Sequence, residues 1–150
     1  MEDLEIRDAT PGDLPAIVAM LADDPLGAQR ESPHDLSPYL AALKRLDADP
    51  NQHLVVAERA GRVIGTLQLT IIPGLSHQGA TRALIEAVRI HSDERGSGLG
   101  SRLIEWAVDR SRQLDSVMVQ LTSDKSRTDA HRFYERLGFT ASHEGFKMRL

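Results

Sequence analysis

Between residues 81 and 112 the chain passes from an extended apolar segment into a glycine-rich turn and then into an amphipathic helix, and this succession restricts the folds open to it. Thr81 to Ile90 reads as a strand carrying Leu84, Ile85, Val88 and Ile90. Arg95-Gly96-Ser97-Gly98-Leu99-Gly100 follows, and Leu99, Leu103, Ile104, Ala107 and Val108 then recur at helical spacing from about Gly98 to Arg112. The first N–H groups of a helix have no intrahelical partner and lie at the positive end of its dipole, which suits them to phosphate. Gly96, Gly98 and Gly100 remove the side chains that would block a close approach, and Arg95 can add charge-assisted bonds. Ser97 and Ser101 have no neighbouring base in sequence and read as phosphate contacts or helix caps. The turn is not a P-loop, because Leu99-Gly100-Ser101 stands where Gly-Lys-Ser/Thr would be required. The G-x-G-x-G spacing behind an antiparallel meander also separates it from the dinucleotide-binding fingerprint.

The remaining segments fit around that unit. Leu4, Ile6 and Asp8 begin a short strand, and Thr10-Pro11-Gly12-Asp13 is a helix-start signal followed by Leu14, Ile17, Val18 and Leu21. Asp24 to Pro38 is expected to be a loop, broken by Pro25, Gly27, Pro33 and Pro38. A short helix is predicted from Tyr39 to about Leu46, and strands over His53–Glu58 and Val63–Ile72, with Gly65 marking a bend or a close backbone approach. Pro73 to Gly79 connects to the strand over Thr81–Ile90. Val117, Val119 and Leu121 predict a strand, and Arg127 to Leu137 a helix capped by Gly138. Phe146, Met148 and Leu150 alternate as a last strand, paired with a short one near Phe139-Thr140-Ala141. The order β-α-α-β-β-β-α-β-α-β-β describes one mixed α/β domain over residues 1–150, built on a single sheet.

Composition narrows the function. A chain of 150 residues suits one domain with one core. It has no cysteine, which removes disulfides, thiol nucleophiles and thiolate metal sites. Its six histidines show no metal spacing, so no metal is expected. A net charge of −4 disfavours a nucleic-acid partner and mildly favours a cationic substrate. Met1-Glu2-Asp3-Leu4-Glu5-Ile6-Arg7 lacks the basic start and apolar stretch of a signal peptide, and no apolar run is long enough to span a bilayer. The expectation is a soluble, cytoplasmic protein with no membrane partner. A serine-hydrolase reading lacks G-x-S-x-G.

Three segments together carry a family resemblance: the strand Ile85-Glu86-Ala87-Val88-Arg89-Ile90, the turn Arg95 to Gly100, and Ala130-His131-Arg132-Phe133-Tyr134-Glu135-Arg136-Leu137-Gly138-Phe139. The chain resembles the GNAT superfamily of N-acetyltransferases over essentially its whole length. The first two segments match the family's Q/R-x-x-G-x-G/A pattern, and the third its A-x-x-x-Y-x-x-x-G-F segment. The resemblance implies a mostly antiparallel sheet in which two central parallel strands splay apart, here the one ending at Ile90 and the one from Ser116 to Leu121. It implies acetyl-CoA as co-substrate, with the pantetheine arm along the backbone of Val88, Arg89 and Ile90. The diphosphate would lie on the segment from Arg95 through Gly96, Ser97, Gly98, Leu99 and Gly100 to Ser101. At Arg127 the chain departs from the family, many of whose members have an asparagine that contacts the cofactor. A homodimer is common in the family and is expected here.

Acetyl transfer to an amine needs a neutral nucleophile, a donor for the carbonyl oxygen as it gains charge, and a proton for the departing thiolate. Glu86 lies inside an otherwise apolar strand, where a carboxylate must be paired or line a cavity, and it is the candidate base. The alternative for it is a structural ion pair. The resemblance makes Tyr134 the general acid to the sulfur and a cofactor contact, against simple packing beside Phe133. The Val88 amide, freed by a bulge, is the candidate oxyanion donor. His91 reads as a solvated loop residue and Trp106 as a packing residue. The loops 24–38 and 73–79 are the expected acceptor walls, with Arg30, Glu31, His34 and Tyr39 as candidate contacts. The acceptor is an amine on a small molecule or a protein. A non-catalytic acyl-CoA-binding sensor is the alternative reading.

Overall fold

The computed structural model describes residues 3–150, in two compact bodies that divide after Gln120. The first body is built on a five-stranded sheet in chain order: β1 (Leu4–Asp8), β2 (Gln52–Arg59), β3 (Arg62–Ile72), β4 (Thr81–Ile90) and β5 (Ser116–Gln120). Strands β1 to β4 are antiparallel neighbours, and β5 runs parallel to β4. This is the mostly antiparallel sheet with one parallel pair that the resemblance implies. Ala60 and Gly61 both take positive φ, which matches the turn of a tight hairpin to the twist of β2 and β3.

Helices α1 (Leu14–Ala22), α2 (Pro25–Arg30), α3 (Ser37–Asp47) and α4 (Leu99–Gln113) belong to the same body. Strand alternation sorts them by face. On β3, a Cβ placed on Gly65 would lie 2.9 Å from Leu103 Cδ1 of α4, so this face meets α4, and Gly65 is the close approach expected there. The intervening Thr66 and Gln68 share a cavity with Leu14, Ile17, Val18 and Leu43 of α1 and α3 on the other face. Val18, Val55, Val56, Leu67, Leu69, Leu103 and Ile104 are fully buried and form the core.

The segment expected as a loop from Asp24 to Pro38 contains α2. Asp24 caps it by accepting from the Gly27 amide at 2.5 Å, and Pro25 occupies its first turn. Gly27 is not a breaker there, because it is buried where an added Cβ would strike the Leu21 carbonyl. The connection before β4 holds a four-residue helical turn, Ser76–Gly79, in which His77 and Gln78 take positive φ.

The second body, Leu121–Leu150, contains α5 (Thr128–Arg136). The helix stops at Gly138, whose φ of 101° and amide bond to Glu135 O form the expected C-terminal cap. The two strands expected near 139–141 and 146–150 are absent, since residues 139–150 have no regular secondary structure. Phe146 and Met148 are 94% and 85% exposed. Alternating apolar residues signal a strand only where a neighbour pairs with it and one face is buried.

The start of α1 rests on one buried carboxylate. Asp13 accepts from Arg7 Nη1 at 2.8 Å and Nη2 at 3.0 Å, and from the Thr10 amide at 2.8 Å. Arg7 Nε also reaches Glu58 on β2 at 2.7 Å. The Arg7 fork, followed by the Thr10 bonds, holds the Asp13 carboxyl below the usual carboxylate range. A carboxyl depressed in the folded state contributes stability above its unfolded pKa, about 4, and loses it as pH falls through the folded value. Asp13→Asn is therefore expected to cost about 1–3 kcal/mol at pH 7. In urea titrations the variant should also show a shallower loss of stability below about pH 4 than the native chain.

Candidate active site

β4 contains a bulge where the site residues lie. Gln68 pairs with Glu86 and Thr66 with Arg89, so Leu67 alone stands opposite Ala87 and Val88. Ala87 takes φ 52°, a left-handed conformation that costs a non-glycine residue about 1 kcal/mol or more. The bulge also resets the strand's phase. Glu86 and Arg89 are an odd number apart and would face opposite sides of a regular strand. Paired with Gln68 and Thr66, they share the face that carries α1 and α3. Glu86 is exposed on this face, and its candidacy as a structural ion pair finds no partner among the described residues.

The parallel pairing of β4 with β5 ends at Leu84 and Gln120, while β4 continues to Ile90. Among the described residues no strand pairs with 85–90 on the β5 side. Val88 and Ile90 lie on this open stretch, and Val88 has no register partner on β3 either. Ile90 pairs with Gly65.

Beyond β4, a turn of 3₁₀ helix at Ser92–Glu94 leads through Arg95 into α4. His91 accepts from the Asp93 amide at 3.1 Å and caps this turn. Gly96 and Gly98 take φ 81° and 83°, and nothing lies within 4 Å of a Cβ built on either. The first bond of α4 is from the Arg102 amide to Gly98 O. Among the described residues no backbone carbonyl meets the amides of Gly96, Gly98, Leu99, Gly100 or Ser101. Ser97 differs, since its amide and hydroxyl both turn to Glu94 O, at 3.3 and 2.5 Å. The turn thus presents a row of unsatisfied donors at a helix N-terminus, with Arg95 exposed beside them.

Two acidic residues at the end of α1 hold the neighbouring cations. Arg95 Nη2 donates to Asp23 at 3.3 Å, and Arg89 Nη2 lies 3.5 Å from Asp24. Arg89 also donates to Val88 O at 2.9 Å, and its Nε is buried without a hydrogen-bond partner. The Gly27 amide, and then Arg89 and Arg30, hold the Asp24 carboxyl below its ordinary pKa.

A cavity of about 150 Å³ opens beside the bulge, lined by Ala87, Gln68, Thr66, Leu54 and the inner faces of α1 and α3. Tyr39 lines it and bonds away from it, donating to Glu31 at 2.9 Å and accepting from the Ser32 amide at 2.9 Å. Of the loop candidates, Tyr39 therefore reaches the cavity, and Arg30, Glu31 and His34 do not line it. Sequence reasoning missed Thr66 and Gln68, although Thr66, Gln68 and Thr70 alternate as a polar stripe along β3. A polar groove on the α4 face is lined by His53, Trp106 and Arg110, without any residue of β4 or of the glycine turn.

The remaining candidates, Arg127 and Tyr134, belong to the second body. Tyr134 sits on α5 in edge-to-face contact with Phe133 and Phe139, with ring centroids 5.2 and 5.9 Å apart. Arg127 precedes α5, and its carbonyl accepts from the His131 amide.

This arrangement has close parallels among known proteins. The acetyltransferase (GNAT) family model matches residues 14–139, and the chain belongs to that family. It is 30% identical over 146 residues to an aminoalkylphosphonate N-acetyltransferase of Salmonella typhimurium, covering 97% of this chain and 91% of the relative. A crystal structure of a transcriptional regulator from Bacillus halodurans C-125 is 49% identical, with a TM-score of 0.93, covering 99% of this chain and all of that one. A putative acetyltransferase from Agrobacterium tumefaciens is 28% identical with a TM-score of 0.82, covering 97% and 99% of the two chains.

The left-handed backbone at the helix entrance makes a direct prediction. Gly98→Ala is expected to cost about 1–2 kcal/mol in thermal unfolding, from backbone strain alone, because open space surrounds the added methyl.

Proposed function

We propose that the chain is an acetyl-CoA-dependent N-acetyltransferase that moves the acetyl group to a primary amine by direct attack in a ternary complex. The observation that carries this reading is the set of amides at Gly96, Gly98, Leu99, Gly100 and Ser101 that meet no backbone carbonyl among the described residues, at the end of a strand whose edge stands open. The amides of Gly96, Gly98, Leu99, Gly100 and Ser101 would hold the diphosphate of CoA, with Arg95 exchanging Asp23 for a phosphate oxygen. The open edge of β4 at Val88, Arg89 and Ile90 would pair with the amide groups of the pantetheine arm. Arg127 is the remaining proposed cofactor contact.

In the reaction, Glu86 takes the proton that the attacking ammonium must lose, directly or through a water. The amine nitrogen bonds to the thioester carbon, and the Val88 amide donates to the carbonyl oxygen as it gains charge. The C–S bond then breaks, and Tyr134 protonates the departing thiolate. A phenolic hydroxyl is a proton donor and suits that role. The surplus proton on the new amide nitrogen passes through water to restore the Tyr134 phenol, leaving a neutral amide and a free thiol. The relative that acts on an aminoalkylphosphonate supports a small-molecule amine as acceptor, in preference to a protein amine.

The Bacillus halodurans relative is described as a transcriptional regulator, and this keeps the sensor reading within the test. With acetyl-CoA and a panel of amines, release of free CoA thiol is expected. Glu86→Gln should lower kcat about 10²-fold or more, with the remaining rate rising with pH as the amine loses its own proton. Tyr134→Phe should lower kcat by a similar factor while CoA affinity stays within about threefold. CoA binding without thiol release for any amine would favour the sensor.

A further inference from the structure

We infer that the acceptor is a primary amine on a compact apolar body, which occupies the cavity between α1, α3 and the bulge of β4. This rests on the proposed acetyl transfer at that bulge. The cavity is continuous with the chemistry through two residues: Ala87 is the bulged residue itself, and Gln68 is the register partner of Glu86. An amine beside Glu86 therefore has its substituent directed along Gln68 into the cavity.

The lining contains no charged side chain, and its deeper part is Leu14, Ile17, Val18 and Leu43. Three of its polar groups are already engaged. Thr66 Oγ1 donates to Val55 O at 2.8 Å, Gln68 Nε2 donates to Gln52 at 2.9 Å, and the Tyr39 hydroxyl is shared by Glu31 and the Ser32 amide. A sugar, phosphate or phosphonate buried there would leave polar groups without partners, which is costly. Arg89 adjoins the bulge on that sheet face, its Nη1 and Nη2 are taken by Val88 O and Asp24, and its remaining donor, Nε, is buried. The cavity, of about 150 Å³, selects compact aliphatic bulk instead.

The test uses the full-length protein, acetyl-CoA and a series of primary amines: ethylamine, propylamine, butylamine, isopentylamine and phenethylamine, against 2-aminoethylphosphonate and glucosamine 6-phosphate. The expected kcat/KM rises about fourfold per added methylene until the cavity is full. Isopentylamine should exceed both anionic amines by at least about tenfold. Leu46→Gln, at a half-buried lining position, should lower kcat/KM for isopentylamine about tenfold and for ethylamine by less than about threefold. A flat chain-length series, or preference for an anionic amine, would overturn the inference and leave the acetyltransferase reading standing. Thiol release with none of these amines would count against that reading instead. Calorimetric binding of the same alkylamines to the CoA-loaded protein then decides the inference: affinity that rises with chain length upholds it, and chain-length-independent or absent binding overturns it.

Discussion

Where β4 and β5 part, a stretch of backbone is left without a neighbour. Strands in a sheet satisfy their amides and carbonyls on both sides, and a buried group without a partner is costly. β4 nevertheless runs on past Leu84 to Ile90 with its β5 side open. The open edge leads to a turn in which the amides of Gly96, Gly98, Leu99, Gly100 and Ser101 meet no backbone carbonyl among the described residues. In the proposed site these two sets of groups meet the amides of a pantetheine arm and the diphosphate beyond it.

The bulge adds a second constraint. It places Glu86 and Arg89 on one sheet face and sets Val88 outside the register. Ala87 bears the left-handed backbone that makes this possible. Such strain persists only where the surrounding sheet enforces it, and here β3 is paired on both sides of the bulge. On the same face, α1 supplies both the apolar wall of the cavity and, at its end, the carboxylates that hold Arg89 and Arg95.

The unit from Thr81 to Arg112 was legible in the sequence because three independent signals agree there: strand composition, a glycine turn and helical periodicity. The closeness of Gly65 to α4 was legible for a similar reason, since a glycine inside a strand has few other uses. The bulge at Val88 was expected, but the strained residue within it was not, because alanine carries no mark of positive φ. Nor was α2, whose proline and glycine resemble a loop until Asp24 is seen as a cap and Gly27 as a packing residue. The cavity draws on residues from Leu14 to Ala87, and no local pattern announces contacts between such distant segments. The alternation of Phe146, Met148 and Leu150 suggested a strand because periodicity reports a side-chain pattern and not the presence of a pairing partner.

In the proposed site the amides of Gly96, Gly98, Leu99, Gly100 and Ser101 grip the diphosphate of CoA. Calorimetric comparison of CoA with pantetheine, which has the same arm and thiol without the phosphates, tests it most directly. Charge-assisted hydrogen bonds contribute about 1.5–3 kcal/mol each, so two or more predict that CoA binds at least about 10²-fold more tightly. The difference should shrink as salt concentration rises. Equal affinity for the two ligands would contradict the account.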